Sequence, residues 1–339
     1  MQKLFLIILF LLMSALNALV NEKVSIQLKW KHSFQFAGYY VAIEKGFYAD
    51  EGLDVTLKEI DLSRDFTKDV TDGKSEYGVS VSSLVVYHAQ NTPVVLVSQI
   101  FQHSPLVLIS HRDSNITTPY EMLGKKIMYS IHSSGDTSFK ALILKTIGDF
   151  NKVKFSDFSS YQDFIDRKVD VTSAYSTAQP YWLKKQGIEV NIIDPKSYGI
   201  DFYGDNFFTS QKELKAHPQR VEKMKKATLK GWEHALSHQD EIIDLILKKY
   251  APNKQKDALA FEARGTYQMI MPDLSKLGSF SKEKYTQVVK TYHQLGIINR
   301  PTIKDDFYYN DKENRLLLTE NEEKWLADNP MIKIAVMDY

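Results

Sequence analysis

The sequence predicts an α/β protein with two lobes, each a mainly parallel β-sheet flanked by helices. Two observations favour this class. Segments with the pattern of strands (76–79, 94–101 and 106–110) alternate with segments with the pattern of helices (64–71 and 82–90), as in βαβ units. The chain also has 339 residues, which is more than one compact domain usually contains and suits two lobes.

The first βαβ unit has the clearest pattern. Apolar and polar residues alternate from Val24 to Trp30, which is typical of a half-buried strand. A short helix is expected at 38–45, with Gly46 suited to its C-terminus, and a second strand at 53–57. Because open α/β sheets receive ligands at the carboxyl ends of their strands, we expect the aromatic loop that starts at Trp30 to border a ligand site.

The middle of the chain repeats this arrangement. Thr118 and Glu121 have the spacing of a capping box at the start of a helical turn. A strand at 126–129, a helix at 136–146 and a strand at 190–193 follow. The middle segment is therefore predicted to form a lobe of its own.

The lobes are expected to be discontinuous in sequence. Residues 22–108, together with about 200–310, would form the first lobe, and about 109–199 the second. The two segments that cross between the lobes would act as a hinge. Apolar residues at helical spacing over 218–237 indicate a helix that packs on the core.

Composition limits the function. Lys and Arg number 43 against 42 Asp and Glu, which leaves a formal charge of +1 and no basic block, so a nucleic-acid partner is not expected. The chain has no cysteine, which excludes disulfides and thiolate metal sites. Apolar residues make up 43% of the chain, which is enough for a sizeable core.

The N-terminal segment predicts export. Residues 1–20 contain one early lysine, a continuous apolar stretch and small residues at the end, which is the pattern of a secretory signal peptide. An uncleaved membrane anchor is the alternative, because the apolar stretch approaches spanning length. The expected location is the periplasm.

The sequence AGYYVAIEKGFYADEGLDV (37–55), preceded by Trp30, resembles the opening of type-II periplasmic substrate-binding proteins. It is similar in particular to the branch that groups thiamine-pyrimidine-precursor binders and synthases with sulfonate binders. The resemblance covers about 24–310 and continues at 75–85, 118–127, 169–183 and 198–210.

This resemblance implies a two-lobe periplasmic-binding-protein fold of type II, with the ligand cleft between the lobes. It also implies an exported solute-binding protein that captures a small organic molecule by hinge closure for an ABC permease. The ligand would be similar to a thiamine pyrimidine precursor or to a sulfonate. No cofactor and no metal are expected.

The C-terminal sequence LTENEEKWLADNPMIKIAVMDY (318–339) resembles the start of a second periplasmic solute-binding sensor domain. We interpret 311–331 as a linker and 332–339 as the first strand of a truncated second domain; alternatively, this strand docks onto the sheet of the same domain. The first interpretation implies an alternative function. The chain would then be the ligand-sensing module of a membrane receptor with signalling domains, such as a histidine kinase or a diguanylate cyclase.

Aromatic residues at the first strand–helix junction are the first candidates for the site. Trp30 and Tyr39 are expected to contact the ligand, because a flat ring at a strand end can stack on a planar molecule. Phe36 and Tyr40 are expected in the core.

Two hydroxyl-rich segments that precede helices are the second group of candidates. Hydroxyls and free N–H groups at a helix start can bind an anion or a carbonyl, although ordinary helix capping is the alternative. In type-II binding proteins two such segments face each other across the cleft. In this chain they are Ser80, Ser82 and Ser83 in the first lobe, and Ser134, Gly135, Asp136 and Thr137 in the second.

The remaining candidates lie near the second crossing. Tyr175 and Gln179 follow a short strand, where relatives commonly carry Asn-Glu-Pro and this chain has Ala178–Gln179–Pro180. A neutral amide cannot form an ion pair with a cationic ring, which argues against a protonated aminopyrimidine ligand. Tyr203 and Asp205 are predicted to line the cleft at the crossing.

An enzymatic role is not expected. The sequence has no GxSxG, HExxH or Walker motif. The related pyrimidine synthases use a lysine that holds pyridoxal phosphate, a histidine four residues later and a cysteine-rich motif. This chain, aligned on Gly78, has Ser80 and Leu84 at those two positions, and a serine cannot form the Schiff base.

Overall fold

Two five-stranded sheets organise the part of the chain that the structure, a computed structural model, describes: residues 21–129 and 137–309. The first sheet contains β1 (Glu22–Gln27), β2 (Leu53–Lys58), β3 (Tyr77–Ser80), β4 (Val94–Gln99) and β10 (Asn206–Ser210). The second contains β5 (Leu106–His111), β6 (Lys126–Tyr129), β7 (Lys154–Asp157), β8 (Val171–Tyr175) and β9 (Val190–Ile193). Their strand orders, β2-β1-β3-β10-β4 and β7-β6-β8-β5-β9, are equivalent.

Each sheet is mixed rather than wholly parallel. In the first sheet β1 pairs in parallel with β2 and β3, whereas β10 is antiparallel to β3 and β4. In the second sheet β6 pairs in parallel with β7 and β8, whereas β5 is antiparallel to β8 and β9. The antiparallel strand is in each case the one that directly follows a crossing between the lobes. The chain enters the new sheet there without the helical crossover that a parallel neighbour requires.

The first crossing lies slightly earlier than the sequence suggests, and the second ends slightly later. All of β5 pairs within the second sheet, so the first lobe ends before Leu106, and the boundary expected between residues 108 and 109 falls inside a strand. The second crossing follows β9 and ends at Asp205, directly before β10. The apolar run 106–110 gives no signal of this change of sheet, because β4 before the crossing and β5 after it are both buried on two faces.

Helices flank both sheets. They are α1 (Ala37–Glu44), α2 (Phe47–Asp50), α3 (Phe66–Thr71), α4 (Leu84–Ala89), α5 (Thr137–Ile147), α6 (Tyr161–Ile165), α7 (Gln179–Lys185), α8 (Gln211–Ala216), α9 (Pro218–Ser237), α10 (Gln239–Lys249), α11 (Lys256–Ile270) and α12 (Lys282–Gln294). Short 3₁₀ turns occur at Phe34–Phe36, Arg112–Ser114, Pro119–Met122, Phe150–Lys152, Pro195–Tyr198 and Asp305–Phe307.

Two local predictions are confirmed and one is wrong. Thr118 and Glu121 form the capping box, and Gly46 adopts the left-handed conformation after α1 (φ 76°). The first strand, however, ends at Gln27 and does not reach Trp30. The side-chain amide of Gln27 donates to the carbonyls of Leu28, Lys58 and Glu59, so it replaces ladder hydrogen bonds at the strand end and lets the backbone turn.

The core of the first lobe depends on a close approach of α1 and α9. Trp232 of α9 is 1% exposed, and a Cβ added to Gly38 would lie 2.2 Å from its Cγ. Similarly, a Cβ on Gly231 would lie 2.1 Å from the carbonyl oxygen of Gly38. These two glycines therefore allow contact that no larger residue permits. They fix α1, and with it the loop that begins at Trp30, against the body of the lobe.

Several sequence-based predictions lie outside the described residues. These are the signal peptide or anchor at 1–20, the linker at 311–331 and the strand at 332–339. None of the helices in the described segments combines the length and the apolar character that a membrane span requires.

Gly231→Ala should lower the free energy of unfolding by about 1–3 kcal/mol, the usual cost of overpacking a tight contact. The effect should appear even though alanine is the better helix former by about 1 kcal/mol. The measurement is the midpoint of urea unfolding. Glu233→Ala, at an exposed position of the same helix, is the control and should change stability by less than about 0.5 kcal/mol. Wild-type stability of Gly231→Ala would show that α1 and α9 are not in close contact.

Candidate ligand-binding site

Two connected cavities lie between the lobes. The inner one, of about 90 Å³, is bordered by Lys29, Trp30 and Gln35 of the first lobe and by Ser173, Tyr175 and Gln179 of the second, among others. The outer one, of about 500 Å³, shares residues with it, including Trp30 and Gln179. The outer cavity alone has the volume of an ordinary small-molecule site.

Aromatic rings from both lobes line these cavities. Trp30 of the first lobe meets Phe158 of the second edge to face, with ring centroids 5.6 Å apart. Tyr161 lies 5.1 Å from Phe158, and Trp182 lies 6.0 Å from Tyr161. The tyrosine hydroxyl donates to the carbonyl of Ser173. This series of flat, apolar faces with polar edges suits a planar organic molecule.

The inner end of the cleft is polar and centred on Asp205. Its Oδ1 lies 3.2 Å from the ammonium of Lys29 and accepts a 2.9 Å hydrogen bond from the hydroxyl of Tyr175. Its Oδ2 accepts a 3.0 Å hydrogen bond from the amide of Gln35. Lys29 also donates to the hydroxyl of Tyr175. Asp205 in the second crossing is therefore connected to both lobes.

The electrostatic state of this cluster follows from its burial. Asp205 is 2% exposed, and burial raises the pKa of its carboxyl group. The positive charge of Lys29 and the hydrogen bonds from Tyr175 and Gln35 counter that rise. An ionised Asp205 beside Lys29 gives a pair with no net charge. In the described residues no group of three or more His, Asp or Glu side chains could hold a metal ion.

Gln179 borders both cavities. Its Oε1 accepts a 2.7 Å hydrogen bond from the backbone N–H of Tyr175, which fixes the carboxamide at the end of β8. The amide nitrogen of the same side chain can act as a donor. A glutamate here would bring a negative charge to the cavity, whereas glutamine brings a neutral donor and acceptor.

The sequence also predicts that Tyr39 and Tyr203 contact the ligand or line the cleft, but the structure places both elsewhere. Tyr39 is 1% exposed in the core against Trp232 and Phe207, because α1 turns it away from the cleft. Tyr203 accepts a hydrogen bond from Ser281 N–H and packs on Tyr285 next to α12. Neither Tyr39 nor Tyr203 is among the described residues that border the two cavities.

The hydroxyl-rich segments reach the cleft only in part. Ser80, Ser82 and Ser83 are buried, and the residue between them, Val81, borders the inner cavity instead. Strand β3 ends at Ser80, and Val81 directly follows it at the carboxyl end of the strand. In the second lobe Thr137 begins α5 away from the described cavity walls, and Ser134, Gly135 and Asp136 lie outside the described residues.

Sequence reasoning missed several residues that border the cavities. Lys29 directly precedes the aromatic loop and Gln35 lies in it. Phe158 and Tyr161 directly follow β7. The rule that selected Trp30, namely proximity to the carboxyl end of a parallel strand, applies equally to Phe158 and would have found it.

The lobes also touch at the outer rim of the cleft, between α7 and α11. The rings of Tyr181 and Phe261 stack at 4.6 Å, and Lys185 forms a 2.8 Å salt bridge with Asp257. We call these four residues the interlobe clasp. Next to the clasp, Thr177 packs directly onto the backbone of Gly265.

These features define a two-lobed α/β protein with a candidate ligand site between the lobes. The chain belongs to the NMT1/THI5-like family, whose model matches residues 33–242. The alkanesulfonate-binding protein SsuA from Xanthomonas axonopodis pv. citri, solved with bound MOPS, superimposes with a TM-score of 0.66 and 11% identity over 86% of this chain and 99% of that chain. This similarity confirms the predicted periplasmic-binding-protein fold.

Curated relatives include both binding proteins and enzymes. The riboflavin-binding protein RibY of Chloroflexus aurantiacus is 24% identical over 86% of this chain and 86% of its own length. The formylaminopyrimidine-binding protein of Halalkalibacterium halodurans is 24% identical over 67% of this chain and 70% of its own length. A 4-amino-5-hydroxymethyl-2-methylpyrimidine phosphate synthase of Aspergillus parasiticus is 25% identical over 42% of this chain and 37% of its own length.

Phe261→Ala should open the cleft, because it removes the stacked pair at the rim. An aromatic pair contributes about 0.5–1.5 kcal/mol, which corresponds to about a two- to twelve-fold change in the open–closed equilibrium. Small-angle X-ray scattering should show a larger radius of gyration for the variant. Tyr120→Ala, which removes an aromatic ring that is 57% exposed in the second lobe, is the control. Identical scattering curves for Phe261→Ala and wild type would contradict a role for the clasp.

Proposed function

We propose that this protein is an exported solute-binding protein that holds a small planar organic molecule between its lobes and delivers it to an ABC permease. The observation that carries the proposal is the series of rings from Trp30 to Trp182, contributed by both lobes, over an inner end of amides and hydroxyls. A planar ligand that contacts both lobes would stabilise the closed form of the protein. A permease could then distinguish the closed, ligand-bound protein from the open, empty protein.

The chemistry of the cleft supports a heterocycle as the ligand. Two relatives are named for riboflavin and for formylaminopyrimidine, which are both heterocyclic. Gln179 and Tyr161 in this chain offer hydrogen-bonding groups at the edge of the aromatic wall, where ring nitrogens and carbonyls of such a ligand would lie. A neutral Gln179 suits a neutral ring better than a protonated one.

The enzymatic alternative, a pyrimidine synthase, has less support. Ser80 stands where the synthases have the lysine of the cofactor. The inner cavity does contain one lysine, Lys29, but its ammonium group lies 3.2 Å from Asp205. The lysine amine that borders this cavity is therefore engaged by a buried carboxylate, whereas Schiff-base formation needs a free amine.

The sensory alternative depends on residues 318–339, most of which resemble a linker and the first strand of a second domain. They lie outside the described residues, and no observation in the described part of the chain favours a receptor over an importer. Export depends in the same way on residues 1–20. Delivery to a permease is therefore the function we propose.

Trp30→Ala should weaken the binding of riboflavin, used as a planar heterocyclic probe, by about 1–3 kcal/mol, or about 5- to 150-fold. The reason is that the variant removes the aromatic face that the first lobe contributes. The measurement is isothermal titration calorimetry with the purified chain. Tyr39→Phe is the control, since Tyr39 is buried against Trp232, and it should bind as the wild type does. Equal affinity of Trp30→Ala and wild type, with both folded, would remove Trp30 from the site.

Incubation with pyridoxal phosphate should produce no absorbance band of an internal aldimine, because Ser80 and Leu84 stand where the synthases have the cofactor's lysine and the histidine, and the amine of Lys29 is engaged by Asp205. The spectrum of Lys29→Met serves as the reference, since that variant has no lysine bordering the inner cavity. A band in the wild type that is absent from Lys29→Met would favour the synthase.

A further inference from the structure

The charged side chains around the cavities are paired with charges of opposite sign. Lys29 is the one charged residue among the described residues that border the inner cavity, and Asp205 lies behind it. In the described wall of the outer cavity every lysine also has a carboxylate partner. These pairs are Lys31–Glu59 at 3.3 Å, Lys185–Asp257 at 2.8 Å and Lys254–Glu262 at 2.7 Å.

The inner pair differs from the outer ones in burial. The side chain of Lys29 is 11% exposed and that of Asp205 is 2% exposed, whereas the outer lysines are a third or more exposed. Solvent weakens the outer pairs, so they contribute little to recognition. The inner pair lies where charges are poorly hydrated and interact strongly.

An anion that entered the inner cavity would therefore meet a lysine that is already neutralised. It would lose its hydration and would also approach the carboxylate of Asp205, which repels it. An uncharged ring loses little hydration and can still hydrogen-bond to the amide of Gln179. Chemically, the site resembles a neutral polar pocket rather than an anion site.

We infer that Lys29 and Asp205 determine the specificity of the cleft: by neutralising Lys29, Asp205 makes the inner cavity favour an uncharged planar ligand over an anionic ligand of the same shape. The inference rests on the proposed function, since it concerns the ligand of that same site. Asp205 would have this effect through Lys29, without contacting the ligand itself.

The test uses two probes that share a ring and differ in charge, benzenesulfonamide and benzenesulfonate, together with riboflavin as a larger uncharged probe. Calorimetry on the wild-type chain should give an affinity for the sulfonamide at least about tenfold higher than for the sulfonate. A wild-type preference for the sulfonate, or equal affinities, would overturn the inference. This comparison needs no variant.

Asp205→Asn should reverse the preference by about tenfold or more, because it leaves Lys29 without a counter-charge while the single amide oxygen can still accept from Tyr175. The double variant Asp205→Asn/Lys29→Met removes both charges and should again prefer the sulfonamide. The double variant therefore distinguishes the effect of charge from the effect of side-chain shape. Circular dichroism and the thermal unfolding midpoint establish that each variant is folded.

The outcomes separate this inference from the proposed function. If the wild type binds riboflavin but prefers the sulfonate, or if folded Asp205→Asn keeps the wild-type preference, the specificity role is wrong and the solute-binding function stands. If the wild type binds none of the three probes, the proposed function fails for planar ligands, and the specificity role fails with it.

Discussion

A single buried carboxylate organises the cleft. Asp205 lies in the second crossing between the lobes, and its two oxygens receive Lys29 and Gln35 from the first lobe and Tyr175 from the second. Burial of a charge is costly unless it is paired and hydrogen-bonded, so these partners are held in place by the charge they satisfy. Trp30 begins the aromatic loop between Lys29, which directly precedes it, and Gln35, which lies in it, so the loop position depends on the same carboxylate.

The equivalent strand orders of the two sheets explain why the walls meet. In both lobes the central strand, β3 or β8, lies next to the entering antiparallel strand and pairs in parallel with β1 or β6, so the carboxyl ends of these two parallel strands lie at the same edge of each sheet. Loops at those ends supply Trp30, Val81 and Gln179. Residues far apart in sequence consequently share one cavity, without any local sequence feature that joins them.

How far the sequence predicts this arrangement depends on the range of each interaction. Local signals located most helices and strands, the capping box at Thr118 and the αL residue Gly46, because each depends on neighbours in the chain. The sequence also selected Trp30, Tyr175, Gln179 and Asp205, which the structure brings to the cleft. It placed Tyr39 there wrongly, since only the packing of α1 on Trp232 decides which face of that helix is buried. It missed Lys29 because its role depends on Asp205, which follows it by more than 170 residues.

The two groups of interlobe contacts lie at opposite ends of the cleft, and this separation gives them different consequences. The Asp205 cluster lies at the crossing, where a hinge rotation displaces atoms least, whereas the clasp of Tyr181, Lys185, Asp257 and Phe261 lies at the rim, where the displacement is largest. Loss of the clasp therefore changes how often the lobes close and lowers the apparent affinity for every ligand by the same factor. A change of charge in the Asp205 cluster acts on one ligand and not on another. Under the proposed function, affinity and specificity would thus be set by different residues, so that one could change without the other.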